Sequence, residues 1–247
     1  MKGKVAVVTG GAQGIGKAVA HQFAVAGADV CIADINYDLA KEASEEIRQI
    51  GVKCIVVDLD TSEYLQVEQM VKKVVKELGS IDILVNNAAF VQKSPFLEYT
   101  KESWSKIIDV CLNGYFYCGQ HAARAMVEKG VQKGKIINLS SIAGFIPHGG
   151  LMAYTVAKAG VLALTRVMAH ELKKNDIAVN AVVPAITDTP LMTGVLGKMG
   201  EGKGPPLPKS AISTSEDVAE VVLKVAQDEN NILTGNLINV GSAAIGM

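Results

Sequence analysis

A tyrosine and a lysine stand four positions apart in the sequence, at Tyr154 and Lys158. On a helix this spacing places both side chains on one face, one turn apart. An ammonium beside a phenol stabilises the phenolate, so it lowers the pKa of the tyrosine from its usual value of about 10. Such a tyrosine can exchange a proton with an alcohol or carbonyl oxygen near neutral pH. The pair therefore indicates a proton partner for hydride-transfer chemistry.

A serine upstream of this pair, Ser141, directly follows an apolar segment that predicts a strand. A hydroxyl at that point can hold a substrate oxygen beside the phenol. We prefer Ser141 to its neighbour Ser140 because of its spacing from Tyr154. Each feature alone has an ordinary explanation, since the Tyr–Lys spacing recurs by chance and a serine after a strand is more often a turn residue.

A glycine-rich turn near the start of the chain indicates where a cofactor binds. The apolar run from Lys4 to Thr9 predicts a buried strand, and from Ile15 the apolar residues recur at helical spacing. The glycines between and around these segments are Gly10, Gly11, Gly14 and Gly16. Backbone N–H groups at the start of such a helix attract anions, and glycine lets a phosphate approach closely. The alternative is an ordinary tight turn.

An acidic residue, Asp34, ends the second predicted strand, about 20 residues beyond the glycines. A carboxylate there accepts hydrogen bonds from the ribose diol of NAD and repels the 2′-phosphate of NADP. No arginine or lysine lies between Gly10 and Gly16 to offset that repulsion. We therefore predict NAD as the cofactor; the alternative is that Asp34 is a solvated strand end.

The bulk properties exclude several classes of protein. The 247-residue chain is 49% hydrophobic with a formal net charge of −1, so one sizeable core is easily filled. Its basic residues are scattered, which argues against nucleic-acid binding. With neither a membrane-length apolar run nor a signal-like segment, we expect a cytoplasmic protein without a membrane partner. The four cysteines form no metal-binding pattern, so no metal is predicted.

Strand-like and helix-like segments alternate along the whole chain. Long helices are predicted over 101–129 and 153–175, and seven apolar strands end near Thr9, Ala33, Val57, Val85, Leu139, Val182 and Val240. This alternation is typical of a doubly wound parallel sheet with helices on both faces, a Rossmann-like α/β fold. Because no linker or change of composition divides the chain, we predict a single domain over residues 1–247.

One segment interrupts this alternation. Residues Thr193 to Pro208 are rich in glycine and proline and show no apolar periodicity. A connection of that length without structure is often functional, and loops of this kind frequently close over substrates. We therefore predict a mobile substrate lid near residues 190–212.

Taken together, these motifs resemble the short-chain dehydrogenase/reductase family. That family combines a Thr-Gly-x-x-x-Gly-x-Gly turn, an Asn-Asn-Ala-Gly stretch, a helical asparagine, a serine and a Tyr-x-x-x-Lys pair. This chain shows a corresponding feature for each, in the same order and over almost its whole length: Thr9 to Gly16, Asn86 to Ala89, Asn113, Ser141, and Tyr154 with Lys158.

The resemblance implies a catalytic role for each of the matching polar residues. Tyr154 would be the general acid/base, and Lys158 would lower its pKa and bind the nicotinamide ribose. Ser141 would orient the substrate oxygen. Asn113 would carry a water that passes the proton onward, although a helix kink with its amide on the backbone is an equally good explanation of that residue.

The predicted cofactor contacts follow the strands, because ligands of such sheets bind beyond the carboxyl ends of the strands. Asp58 could contact the adenine amine or begin a helix, and Asn87 could line a flat ring or hold a neighbouring strand. By resemblance, two threonines near 188 would bind the nicotinamide carboxamide. The full set is Gly10, Gln13, Gly14, Ile15, Gly16, Asp34, Asp58, Leu59, Asn87, Ala88, Tyr154, Lys158, Pro184, Thr187 and Thr189.

The chain departs from the family pattern in three places. Ala89 and Ala185 stand where the family usually has glycine. If either glycine uses a positive φ, alanine there costs strain. In addition, Asn239 to Ser242 replaces a common Asp-Gly-Gly, in a region that borders subunit contacts in such enzymes.

The substrate is only partly defined by the sequence. Its expected surroundings are mainly apolar, which favours a neutral secondary alcohol or ketone: Ile142, Phe145, His148, Leu151, Leu191, Met192, Val195 and Met199. Alternatives are a 3-oxoacyl thioester reductase, a nucleotide-sugar epimerase, which usually needs a longer chain, and a non-catalytic NAD-binding scaffold or redox sensor. The resemblance also implies a homotetramer assembled through the two long helices.

Overall fold

The structure is a computed structural model that describes residues 1–196 and 212–241. Its strands are β1 (Val5–Thr9), β2 (Asp29–Asp34), β3 (Cys54–Asp58), β4 (Ile83–Asn86), β5 (Gly134–Leu139), β6 (Ile177–Pro184) and β7 (Leu237–Val240). They form one seven-stranded sheet in the order β3-β2-β1-β4-β5-β6-β7, and every neighbouring pair is parallel. The predicted doubly wound, Rossmann-like sheet is confirmed.

Helices cover both faces of this sheet. They are α1 (Gly14–Val25), α2 (Tyr37–Arg48), α3 (Tyr64–Leu78), α4 (Lys101–Ile108), α5 (Gly114–Glu128), α6 (Met152–Leu172), α7 (Pro190–Leu196) and α8 (Ser215–Ala226). One apolar cluster joins the sheet to α1 and α8 around Phe23, and another joins it to α3 and α5 around Met126. Within the described part of the chain, no helix combines the length and the apolar character needed to cross a membrane.

The strand order reverses direction between β1 and β4. From β1 the chain first builds outward to β3, then crosses back and builds from β4 to β7 on the other side. At such a reversal the connections diverge and leave a crevice at the carboxyl ends of the strands. The glycine-rich turn after β1 and the residues after β4 therefore meet at this side of the sheet, which we call the ligand edge.

The predicted helix over 101–129 is divided in the structure. Helices α4 and α5 are separated by one turn of π-helix, Asp109–Asn113. A π-turn widens the helix and changes the direction in which the following side chains point, and such turns are frequent at functional sites. Apolar periodicity did not reveal it, because both helices keep buried side chains on their inner faces.

Helix α7 occupies the start of the segment that the sequence suggested was irregular. Pro190 is its first residue, a position where the missing N–H costs nothing. The Thr189 hydroxyl oxygen accepts a hydrogen bond from Met192 N at 3.2 Å and so caps the helix. The Val195 side chain and all of Met199 lie outside the described residues, and the lid remains a prediction.

Candidate active site

The turn after β1 is closed by glycine at positions where a side chain does not fit. Gly10 adopts a left-handed conformation with φ of +64°, and a Cβ there would lie 2.8 Å from Ala88 Cα. A Cβ at Gly16 would lie 2.1 Å from the Gly10 carbonyl oxygen and 2.6 Å from Asn87 Nδ2. The turn is thus packed on itself and on the chain that follows β4.

The Asn87 side chain joins that turn to the end of β4. Its Nδ2 donates to the carbonyl oxygens of Thr9 and Gly10, at 3.1 and 2.9 Å. In return the Thr9 hydroxyl oxygen accepts from the backbone N–H groups of Asn87 and Ala88, at 3.0 and 3.2 Å. The Asn87 amide therefore holds the end of the neighbouring strand β1, which is the structural role considered for it in the sequence analysis. A direct contact of Asn87 or Ala88 with a cofactor stays a prediction.

The first turn of α1 is suited to an anion. The residue before the helix, Gln13, makes no side-chain cap, and the first turn carries no acidic residue. The Asp34 carboxylate stands beside it, accepting from Ala12 N and Asn36 N at 2.9 Å each. Each carboxylate oxygen keeps a further lone pair for a ribose hydroxyl. The backbone N–H groups of this turn fit the pyrophosphate of a dinucleotide, and the Asp34 carboxylate fits its adenosine ribose.

We expect Gly16→Ala to destabilise the protein by about 1–3 kcal/mol and to weaken NADH binding, because the new methyl group displaces the Gly10 carbonyl. Urea unfolding and a fluorescence titration with NADH measure both effects. Gly149→Ala is the matched control, since a Cβ at Gly149 meets no atom within 4 Å. Equal stability and affinity in the two variants would contradict this account of the turn.

The other predicted contacts of the adenosine half lie around Asp34. Asp58 pairs in register with Asp34 at the end of β3 and is exposed. The Leu59 side chain is buried in the core, so only its backbone is available to a ligand. Gln13 is exposed and Ile15 is partly buried against the core beneath α1.

The chain after β6 forms the opposite side of the ligand edge. Pro184 is the buried last residue of β6, and the Thr187 hydroxyl donates to the Ala185 carbonyl oxygen at 3.1 Å. A Cβ at Gly14 would lie 3.8 Å from Thr189 Cβ, so this segment packs against the glycine-rich turn. Residues predicted from the ends of distant strands are thus brought together.

The two alanines that replace family glycines are not strained. Neither Ala89 nor Ala185 has a positive φ. Ala185 N donates to the Val240 carbonyl oxygen at 2.8 Å, which extends the pairing between β6 and β7. The backbone strain that alanine would suffer at a positive φ is therefore absent at both positions.

The two serines after β5 have different surroundings. Ser140 is buried, and its hydroxyl donates to the Lys158 carbonyl oxygen at 2.9 Å, which fixes the chain against α6. Ser141 is partly exposed and caps a short 3-10 turn, its oxygen accepting from Ala143 N at 3.1 Å. A hydrogen bond from Ser141 also lowers the pKa of Tyr154, so this serine adjoins the phenol.

The Lys158 side chain is buried, with 2% of its surface exposed. Its Nζ donates to the Leu139 carbonyl oxygen at 2.6 Å and to the Tyr115 hydroxyl at 3.0 Å. Burial lowers the pKa of the Lys158 ammonium to about 8. The lysine is therefore poised to change its charge just above neutral pH.

The pKa of Tyr154 is raised, which corrects the expectation that Lys158 lowers it. Burial of the phenol is the largest cause, the Cys111 thiol adds to it, and the hydrogen bond from Ser141 opposes it. The ammonium of Lys158 lies 5.6 Å from the centre of the Tyr154 ring and donates elsewhere. Burial therefore has a larger effect on the pKa of Tyr154 than the distant ammonium. In the protein without ligands, the Tyr154 phenol is protonated at neutral pH.

The structure gives Asn113 a partner different from the one expected. Its Nδ2 donates to Asp109 Oδ1 at 2.8 Å, across the π-turn. Another residue of this turn, Cys111, packs in the same apolar cluster as Tyr154. Its thiol raises the pKa of both Tyr154 and Lys158. The catalytic role expected of Asn113 stays a prediction, and Cys111 is a further residue of the π-turn that lies near Tyr154.

Cys111 and Tyr115 are the residues that sequence reasoning missed. The Cys111 sulfur accepts from Phe90 N and donates to the Phe90 carbonyl oxygen, both at 3.3 Å, which ties the π-turn to the chain after β4. Both residues are fully buried. In the sequence these two residues are four positions apart, as Tyr154 and Lys158 are, and this spacing is the feature that could have drawn attention to them.

Comparison with known proteins shows similarity over nearly the whole chain. The family model described as short chain dehydrogenase matches residues 4–199. A relative from Thermotoga maritima, named 3-oxoacyl-[acyl-carrier-protein] reductase FabG, is 33% identical over 245 residues, which are 99% of this chain and 99% of the relative.

Two solved structures have the same architecture. A short-chain type dehydrogenase/reductase from Mycobacterium marinum superimposes with a TM-score of 0.91 at 33% identity, covering 97% of this chain and 94% of that one. Acetoin dehydrogenase YohF from Salmonella typhimurium superimposes with a TM-score of 0.85 at 32% identity, with the same coverage.

Proposed function

The chain belongs to the short-chain dehydrogenase/reductase family, and we propose from this that it is an NAD-dependent oxidoreductase that interconverts a secondary alcohol and its ketone. The proposal rests chiefly on one observation. Tyr154, Ser141 and Lys158 adjoin one another beyond the end of β5, at the ligand edge that also carries the glycine-rich turn. Such a group can hold an oxygen and exchange its proton.

The side chains divide the work of such a reaction. A bound nicotinamide ring supplies or accepts the hydride. The Ser141 hydroxyl holds the substrate oxygen, and the Tyr154 phenol donates a proton to that oxygen during reduction or accepts one during oxidation. Lys158 stabilises the phenolate formed during reduction, because a positive charge nearby favours the deprotonated phenol.

The preference for NAD rests on the Asp34 carboxylate. It lies beside the uncapped first turn of α1, where a dinucleotide would place its adenosine ribose. A 2′-phosphate at that point would meet a like charge, and the residue after Asp34 is an exposed isoleucine rather than a basic residue. We therefore propose NAD over NADP.

A neutral substrate is supported by the residues around the catalytic group. Phe145 and Leu151 are partly buried and apolar, and the imidazole Nδ1 of His148 lies 2.9 Å from the Ile146 carbonyl oxygen. The histidine is thus engaged with its own loop. The similar structure from Salmonella typhimurium carries the name of an enzyme for acetoin, a small neutral compound with both a hydroxyl and a ketone.

A second candidate is the reduction of 3-oxoacyl thioesters. The whole-length identity of 33% to the relative from Thermotoga maritima supports it, because that protein's name states this reaction. The same serine, tyrosine and lysine would perform it, so the catalytic group does not separate the two candidates. The substrate-facing residues do, since their apolar character carries no attraction for an acidic carrier protein.

Initial rates test the two candidates directly. We expect kcat/KM for small secondary alcohols and hydroxyketones, with NAD or NADH, to exceed that for a 3-oxoacyl thioester by about tenfold or more. Both sets of substrates are measured with the same protein preparation and with both nicotinamide cofactors. A higher kcat/KM for the thioester would replace the first candidate with the second.

We also propose that the protein is a homotetramer that uses its two long helices. Helices α5 and α6 carry exposed apolar residues, among them Phe116 and Val167, on surfaces that face away from the sheet. A groove of about 400 Å³ runs between these helices, and its lining combines apolar residues such as Met168 and Leu172 with charged residues at its sides, Arg124 and Glu171 among them. Apolar surface of this kind is typical of contacts between subunits.

A further inference from the structure

Three groups meet at the buried end of the Lys158 side chain. The ammonium donates to the Tyr115 hydroxyl at 3.0 Å and to the Leu139 carbonyl oxygen at 2.6 Å. The Tyr115 hydroxyl in turn donates to the same carbonyl oxygen at 3.1 Å. Lysine, tyrosine and the last residue of β5 therefore form a closed set of hydrogen bonds.

This set lies inside the protein, where an ammonium needs acceptors. Tyr115 is 1% exposed and Lys158 is 2% exposed. A buried charge is costly unless hydrogen bonds replace its water. The Tyr115 oxygen is the one side-chain acceptor that Lys158 contacts among the described residues, since its other partner is backbone.

The titratable groups that face Lys158 come from three elements. They are Cys111 on the π-turn, Tyr115 on α5 and Tyr154 on α6, and Cys118 lies beside Tyr115 on α5. Burial raises the pKa of each of these thiols and phenols, so all four are neutral near pH 7. No carboxylate within residues 1–196 and 212–241 acts on the ammonium.

The position of Tyr115 follows from the π-turn. It is the second residue of α5 and points inward from the point where the π-turn ends. An ammonium has three N–H donors, and Tyr115 and Leu139 take two of them. The third is left for a ligand or for Tyr154, so the two fixed partners determine where that donor points.

We propose that Tyr115 is a positioning residue, whose hydroxyl anchors Lys158 to the end of β5 and helps to keep its ammonium charged at neutral pH. The part of this proposal that concerns the reaction rests on the proposed function. The part that concerns the lysine holds for the protein alone, without substrate or cofactor.

Tyr115→Phe tests the proposal, because it removes one oxygen and leaves the ring in place. The Lys158 titration is followed by NMR in ligand-free protein carrying ¹³Cε-lysine, with Lys158→Met used to assign the resonance. We expect the titration midpoint to move below the wild-type value of about 8. The expected displacement is about one pH unit, because a hydrogen bond to the charged form favours that form.

Tyr117→Phe is the matched control. It removes the same oxygen from the same helix, at a partly buried tyrosine that packs against Tyr64 rather than Lys158. We expect its Lys158 midpoint to equal the wild-type midpoint. If Tyr115→Phe does not fold, Tyr115→Met removes the same oxygen and keeps apolar bulk.

The pH dependence of catalysis separates a positioning role from a purely structural one. Where kcat/KM falls on the alkaline side as Lys158 loses its proton, we expect the fall to begin about one pH unit lower in Tyr115→Phe. An unchanged NMR midpoint overturns the proposal. A lowered midpoint with an unmoved kinetic limb overturns its catalytic part, and failure to find any substrate affects the proposed function but not the NMR result.

Discussion

Tyr154→Phe is expected to lower kcat by about 10²–10⁴-fold, while NADH binding stays close to that of the wild type. The variant keeps the ring, which packs with Ala153, Ala157 and Cys111, and loses only the oxygen that adjoins Ser141. Tyr154 is the one described residue to which we assign the proton transfer, so we expect its loss to leave the substrate oxygen without a proton partner. Steady-state rates and a fluorescence titration with NADH measure the two quantities.

The same experiment distinguishes an enzyme from a scaffold. Tyr117→Phe, on α5, serves as the control because it makes the same chemical change away from the catalytic group. Turnover in Tyr154→Phe equal to that in Tyr117→Phe would rule out the proposed mechanism. The absence of turnover in the wild type with every substrate tested, together with tight NADH binding, would favour the scaffold or sensor.

Asp34→Asn should lower the preference for NAD over NADP by about 100-fold in kcat/KM. The reason is electrostatic, since like charges brought together cost several kcal/mol and the substitution removes the charge that opposes a 2′-phosphate. The asparagine oxygen can still accept from Ala12 N, so the turn keeps its hydrogen bond to this side chain, and the bond from Asn36 N is the one lost. Initial rates are measured with NAD and with NADP, each over a series of cofactor concentrations. The two kcat/KM values give the cofactor preference.

Asp58→Asn is the matched control for this substitution. Asp58 is the neighbouring carboxylate in register on β3, and it is exposed, so solvent screens its charge more effectively. We expect its cofactor ratio to change much less than that of Asp34→Asn. A wild-type protein that prefers NADP, or equal changes in both variants, would show that Asp34 does not determine the choice.

The sequence was sufficient for the features that depend on local pattern. Apolar strands followed by polar residues predicted where β1 to β7 end, and the glycines after β1 predicted the turn into α1. These features are local because backbone conformation and the alternation of strands and helices depend on neighbouring residues. The rule that ligands bind beyond the strand ends then identified the ligand edge without coordinates.

The hydrogen-bond partners of individual side chains could not be predicted from the sequence pattern. Asn113 and Cys111 are two residues apart, and the motif alone favoured the asparagine. Across the π-turn Asn113 bonds to Asp109, whereas Cys111 packs in the cluster that contains Tyr154. Nothing in the apolar periodicity distinguishes a π-turn from a continuous helix.

By itself, therefore, the sequence determined the fold and most of the residues proposed for the site, because these follow from spacing along the chain. It did not indicate Cys111 or Tyr115. Only the tertiary structure decided the surroundings of Tyr154 and Lys158, and with them the direction in which the pKa of each is displaced. The ammonium of Lys158 is held by Tyr115 and Leu139, and the pKa of Tyr154 is raised rather than lowered. Desolvation depends on how completely distant segments surround a group, and that quantity is absent from the order of the residues.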